Sequence, residues 1–224
     1  MTKTLISCGC SFSAKFDSEI DKPFGKLLSE RSGYNHINLS RIGASNYLIS
    51  KQIEYAASLN PDFITINSTT PLRFEYIISE IKQIPALKDF SYGKDACPPH
   101  TVFSGKILSL TYEYIKSYQN SDHKFIKKEK LDVIKKFLVE YTDYHVKKDQ
   151  DRFMLLGAIS KLIEKKIKFI VIDFSDILLT TDLNQKKLLN LNWDKMRNEF
   201  PHSDGLHFNQ MGHNYIFEEI LKIL

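Results

Sequence analysis

The 224-residue chain is 42% hydrophobic and 12% aromatic, enough to bury a core of ordinary size in one domain, and its formal charge of +4 comes from lysines scattered among acids. The pairs Lys127-Lys128, Lys135-Lys136, Lys147-Lys148 and Lys165-Lys166 read as solvated helix faces without interleaved aromatics, which argues against a nucleic-acid groove. No apolar run approaches the roughly twenty residues that span a bilayer, and an odd cysteine set (Cys8, Cys10, Cys97) with no secretory segment favours a reducing, cytoplasmic setting.

In chain order, Thr4–Cys8 reads as a strand, Lys22–Arg31 as a helix, Asn35–Leu39 as a strand, Ser45–Leu59 as a helix and Phe63–Asn67 as a strand. Strands that are apolar throughout and alternate with helices predict a parallel sheet covered on both faces, an α/β fold. Ser45 is placed to cap its helix, and Asn60-Pro61 to stop it. The stretch Lys88–Thr101 has no clean period and is either a lid or a plain surface excursion. From Lys106 to Lys166 the pattern is helical, with Leu131, Ile134, Leu138, Tyr141 and His145 on one stripe and Leu155, Leu156, Ile159, Leu162 and Ile163 on another. We therefore expect a single domain over 1–224 carrying a mostly helical insertion at about 85–166. Lys168–Asp173 returns to the buried-strand pattern; a helix is predicted around Gln185–Leu191 and a closing helix from about Gln210.

In an open parallel sheet the loops at the carboxyl ends of the strands share one edge. Ser11 follows the first strand, Gly43 the second, Thr69 to Glu75 the third, and Asp204 and His207 precede the last helix. A serine hydroxyl needs a base within hydrogen-bond reach, and His207 is the candidate; Asp204, one turn away, can hold its other ring nitrogen. The backbone N–H groups of Ser11 and Gly43 are candidates for holding the negative oxygen of a tetrahedral intermediate. Asn46, just beyond Gly43, joins the oxyanion and substrate-binding candidates. A thiol nucleophile at Cys10, or a metal on Cys8-Gly9-Cys10, ranks below this reading, because no second Cys or His pair has tetrahedral-site spacing. No metal and no cofactor is expected.

Gly9-Cys10-Ser11 resembles the first block of the SGNH, or GDSL-type, hydrolases, with Cys10 in place of the acid. Asn38-Leu39-Ser40-Arg41-Ile42-Gly43 is similar to the second block, and Asp204-Gly205-Leu206-His207 to the last. The likeness covers residues 1–75 and 200–224. It implies a flavodoxin-like three-layer α/β/α sandwich, a nucleophile at Ser11, and esterase or acyl-hydrolase activity, on an O-acetyl or other short acyl group of a small molecule or glycan. The third block departs from the family: the strand begun by Pro61-Asp62 is followed by Asn67-Ser68-Thr69-Thr70-Pro71-Leu72-Arg73 instead of Gly-x-Asn-Asp. Thr69, Thr70 or Arg73 would then replace the usual asparagine donor. This arrangement resembles a divergent Gly-Cys-Ser-Phe subset of the family found in phage and bacterial genomes. Two alternatives stay open: a ligand- or partner-binding protein that keeps the fold without turnover, and a hydrolase of phosphorylated or nucleotide-like substrates held by Arg73.

Overall fold

A computed structural model describes residues 2–14, 20–41, 44–71, 73–77, 107–111, 132–133, 136, 143–183, 187–203 and 207–224. Their elements are β1 (Thr4–Cys8), α1 (Phe24–Ser32), β2 (Asn35–Asn38), α2 (Asn46–Ser58), β3 (Phe63–Asn67), β4 (Arg73–Ile77), β5 (Ile107–Thr111), α3 (Tyr144–Glu164), β6 (Lys168–Asp173), β7 (Leu188–Asn190), α4 (Trp193–Glu199) and α5 (Gln210–Ile223).

Five strands form one parallel sheet in the order β2-β1-β3-β6-β7. The first three neighbours follow from the βαβαβ start of the chain. Every residue of β3 is buried, as is all of β6 after Lys168, which is why both run apolar without alternation. Helix α1 packs with α5, and α2 packs with α3; with the sheet between them this is the expected flavodoxin-like three-layer α/β/α sandwich. Ser45 caps α2 by accepting the Leu48 N–H at 3.2 Å. Burying Leu155, Ile159 and Leu162 of α3 stabilises the sandwich by roughly 1.5–3 kcal/mol per side chain.

Three expectations change. Ile107–Thr111 is a strand, paired antiparallel with β4, where a helix was expected from Lys106. Its sequence, ILSLT, alternates with period two, which suits a strand. Leu188–Asn190, inside the helix expected around Gln185–Leu191, is the edge strand β7, because pairing with Val171–Asp173 outweighs local helix propensity. Ile163 is 52% exposed: it lies nearly a quarter-turn round α3 from the Leu155–Leu162 line, at about 100° per residue. Tyr144–Glu164, at the carboxyl end of the expected insertion, is thus the helix that precedes β6, a layer of the sandwich itself. The Lys88–Thr101 segment lies outside the described residues.

Four of the five sheet strands end on Asn or Asp: Asn38, Asn67, Asp173 and Asn190. The apolar bodies stay in the core while these terminal side chains project polar groups at the carboxyl edge, and three of them tie down the loops there.

Candidate active site

The turn after β1 is fixed from three sides. Gln52 of α2 brackets Gly9, accepting its N–H at 2.6 Å and donating to its carbonyl at 3.1 Å. Asn38, ending β2, donates to the Ser13 carbonyl at 3.0 Å. Asn67, ending β3, accepts from Ser13 Oγ at 3.2 Å and from Cys10 Sγ at 3.4 Å. A helical turn, with the Ser13 and Ala14 N–H groups on the Cys10 carbonyl, closes it. A Cβ at Gly9 would fall 2.7 Å from Ser13 Oγ and 3.0 Å from Asn67, so the close packing of this turn requires glycine. Ser11 sits at its apex, 2% exposed.

His207 reaches it from the other end of the chain: Nε2 lies 2.8 Å from Ser11 Oγ. The segment before α5 folds back on itself, with a bridge between Pro201 and Phe208, the His202 N–H on the His207 carbonyl at 3.3 Å, and the Asn209 N–H on the Phe200 carbonyl at 2.9 Å. Asn209 caps α5 through the Met211 and Gly212 N–H groups. Phe12 packs its ring 5.1 Å from the imidazole and 4.1 Å from Trp193, and Phe174 and Phe208 complete an aromatic box on that side. These rings limit the rotation of His207. Asp204 and Gly43 lie outside the described residues.

The loop after β3 is held in a similar way. Asn46, the first residue of α2, accepts the Thr69 N–H at 2.9 Å and donates to the Thr69 carbonyl at 2.7 Å. Its other amide hydrogen goes to Asp151 of α3 at 2.9 Å. With both amide hydrogens engaged, Asn46 positions Thr69 and has none left for an oxyanion. Thr69 Oγ1 is buried with no hydrogen-bond partner among the described residues. Thr70 is partly exposed. Arg73 donates through Nη1 to the Ala44 carbonyl at 2.9 Å, while its Nε is buried without a partner among the described residues.

Several participants escaped the sequence reading. Gln52 and Asp151 each place a polar group on an otherwise apolar helical stripe, beside Ile49 and Ile53 in α2 and in line with Leu155 and Leu162 in α3; that mismatch was the available signal. Burial pushes the Asp151 carboxyl up, against hydrogen bonds from Lys147 and Asn46. Asp173 is also pushed up by burial, opposed by Ser68 Oγ and the backbone N–H groups of Leu178 and Ser175. His213, fully buried, accepts the Phe24 N–H through Nδ1, and burial lowers it to about 3. His36, for which no partner was legible, lies with Nε2 2.9 Å from Ser7 Oγ in mid-sheet. Among the described residues no group of three or more His, Cys, Asp or Glu could hold a metal ion, and no helix is long and apolar enough to cross a membrane.

No protein-family model matches the chain, and no curated protein does. Solved structures do. A psychrotrophic esterase, EstA, from Pseudoalteromonas sp., in a form inhibited by monoethylphosphonate, superposes with a TM-score of 0.51 at 11% identity, over 98% of this chain and 95% of that one. A Bacteroides fragilis protein named provisionally as an acylhydrolase gives a TM-score of 0.50 at 12% identity, over 98% of this chain and 85% of that one. This chain therefore shares its fold with an esterase and with a protein named provisionally as an acylhydrolase.

Proposed function

We propose that the protein is an SGNH-type serine hydrolase that cleaves an ester, with an O-acetyl or other short acyl group on a small molecule or glycan as substrate. The observation that carries this reading is the 2.8 Å contact between Ser11 Oγ and His207 Nε2, made at the carboxyl edge of the sheet across 196 residues of sequence. The likeness in fold to an esterase supports it.

As Ser11 Oγ attacks the acyl carbon, His207 Nε2 takes its proton, a C–O bond forms, and the carbonyl electrons move onto oxygen. The Ser11 and Gly43 N–H groups and Thr69 Oγ1 donate to that oxygen, Thr69 serving where the third-block asparagine is absent; one such donor is worth roughly a hundredfold or more in rate. Collapse expels the alcohol, which receives the proton from His207. Water then attacks the acyl-enzyme, its proton passing to His207 and its oxygen to the released acid, and the bond between Ser11 Oγ and the acyl carbon breaks as His207 returns the proton to Ser11. Asp204 holds the imidazole in the required tautomer. Cytoplasmic residence is part of this reading, a reducing setting in which the buried thiols of Cys8 and Cys10 stay reduced.

A fluorophosphonate probe tests the reading. It should label the wild type at Ser11, and labelling should vanish in Ser11→Ala and fall steeply in His207→Ala. Labelling that survives Ser11→Ala removes the proposal. A second reading, an anionic substrate, is favoured by Arg73, whose guanidinium is fixed on the Ala44 carbonyl while Nε stays unpartnered among the described residues. Salt-sensitive inhibition by acyl phosphates or nucleotide esters, abolished in Arg73→Ala, would establish it; equal inhibition of wild type and variant would exclude it.

A further inference from the structure

Helix α2 grips two loops of the carboxyl edge with carboxamide brackets of the same design: Gln52 holds both backbone groups of Gly9, and Asn46 both backbone groups of Thr69. One rigid helix thereby sets the spacing between the nucleophile turn and the third loop. The strand register agrees with this spacing. Cys8 pairs with Ile66, so Ser11 and Thr69 each lie three residues beyond the last paired position of neighbouring parallel strands.

The two brackets differ in what stands behind them. Asn46 has a second anchor, Asp151 on α3, whose carboxylate accepts its remaining amide hydrogen at 2.9 Å and is ion-paired with Lys147 one turn earlier. Asp151 is fully buried, on the stripe that otherwise holds Leu155 and Leu162. Packing alone would put an apolar side chain there, because a buried carboxylate costs desolvation that hydrogen bonds must offset. Without that anchor the Asn46 amide could rotate away, freeing the Thr69 backbone.

We propose that Asp151 is a positioning residue: from α3 it locks Asn46, and through it the Thr69 backbone, so that Thr69 Oγ1 is held ready to donate to the acyl oxygen on Ser11. This rests on the esterase reading for its chemistry, while the lock itself is independent of it. A loop held this way contributes in the transition state more than in substrate binding, so its loss moves kcat and spares KM.

The experiment is a double-mutant cycle with an exchange readout. Asp151→Ala should lower kcat for a short nitrophenyl ester about tenfold with KM within about twofold, and Asp151→Asn, which keeps an acceptor for Asn46, should recover most of it. In a Thr69→Val background Asp151→Ala should cause no further loss. Amide hydrogen exchange at Thr69 should quicken about tenfold or more in Asp151→Ala relative to the slowest core amides. An unchanged kcat, losses that multiply in the double variant, or unchanged exchange at Thr69 overturns the proposal. If Asp151→Ala does not fold, Asp151→Leu, apolar like its stripe, carries the same measurements. If the wild type hydrolyses no ester, the proposed function falls, and exchange at Thr69 still decides whether Asp151 locks the loop.

Discussion

Among the described residues two serine–histidine pairs of nearly equal length stand in or just beyond the sheet, Ser11 with His207 at 2.8 Å and Ser7 with His36 at 2.9 Å. Ser7 also accepts from Thr65 Oγ1 at 2.9 Å. The difference lies in what covers them. Helix α1 seals the Ser7 pair: a Cβ at Gly25 would fall 2.1 Å from Ser7 Oγ and 3.2 Å from His36 Nε2, so no substrate atom fits. Ser11 stands instead beyond the end of β1, on a turn, among the loops that lie past the strands. A hydroxyl–imidazole bond is therefore a polar seam in mid-strand and a candidate for catalysis only where the backbone has left the sheet.

The largest expected effect separates the two pairs by function. Ser11→Ala should cost at least a thousandfold in kcat for p-nitrophenyl acetate with an unchanged melting temperature, whereas Ser7→Ala leaves turnover within about twofold. A comparable loss in Ser7→Ala would erase the distinction.

Next comes the seal. Gly25→Ala should destabilise by about 3 kcal/mol, read from urea denaturation, and adding Ser7→Ala should restore part of this by removing the nearest atom. No recovery in the double variant would mean that the crowding arises elsewhere.

Acid should find the third weak point, at His213. Its folded pKa of about 3 lies below the ordinary 6.5, so the unfolded chain binds a proton that the folded chain refuses. This group's contribution is intact above pH 6.5 and declines as pH falls toward 3, by about 1.4 kcal/mol per pH unit. His213→Gln, which keeps an acceptor for Phe24, should thus lose about 3 kcal/mol less than the wild type between pH 7 and pH 4. Parallel curves for the two proteins would contradict this.

Smaller effects complete the comparison. Ser7→Ala, which removes the oxygen that Thr65 Oγ1 donates to and that lies against His36 Nε2, should cost about 2 kcal/mol in stability. Cys10→Ser should change both kcat and stability least, since a hydroxyl can also donate to Asn67; abolished turnover there would instead point to the thiol.

Much of this was legible in the residues. The strand and helix alternation to Asn67, the caps at Ser45, and the placing of Ser11 and His207 on loops at one edge all follow from periodicity and turn chemistry, because local apolar patterns and capping side chains act within a few residues. Gln52 and Asp151 carried a readable anomaly, a polar side chain on an apolar stripe, but not its meaning. The strand character of Ile107–Thr111 and Leu188–Asn190 was hidden by a helical pattern in the sequence and settled by pairing with strands elsewhere in the chain.

The sequence by itself determined a parallel sheet covered on both faces and singled out Ser11 and His207 as candidates for one site, since burial periodicity and side-chain chemistry are properties of the chain alone. Only the tertiary structure brought Ser11 Oγ and His207 Nε2 into contact, paired Ser7 with His36, and showed that Asn46 brackets Thr69 with Asp151 standing behind it. Those contacts join residues from 23 to 196 positions apart, and a hydrogen bond's partner is fixed by where the packed layers bring its atoms.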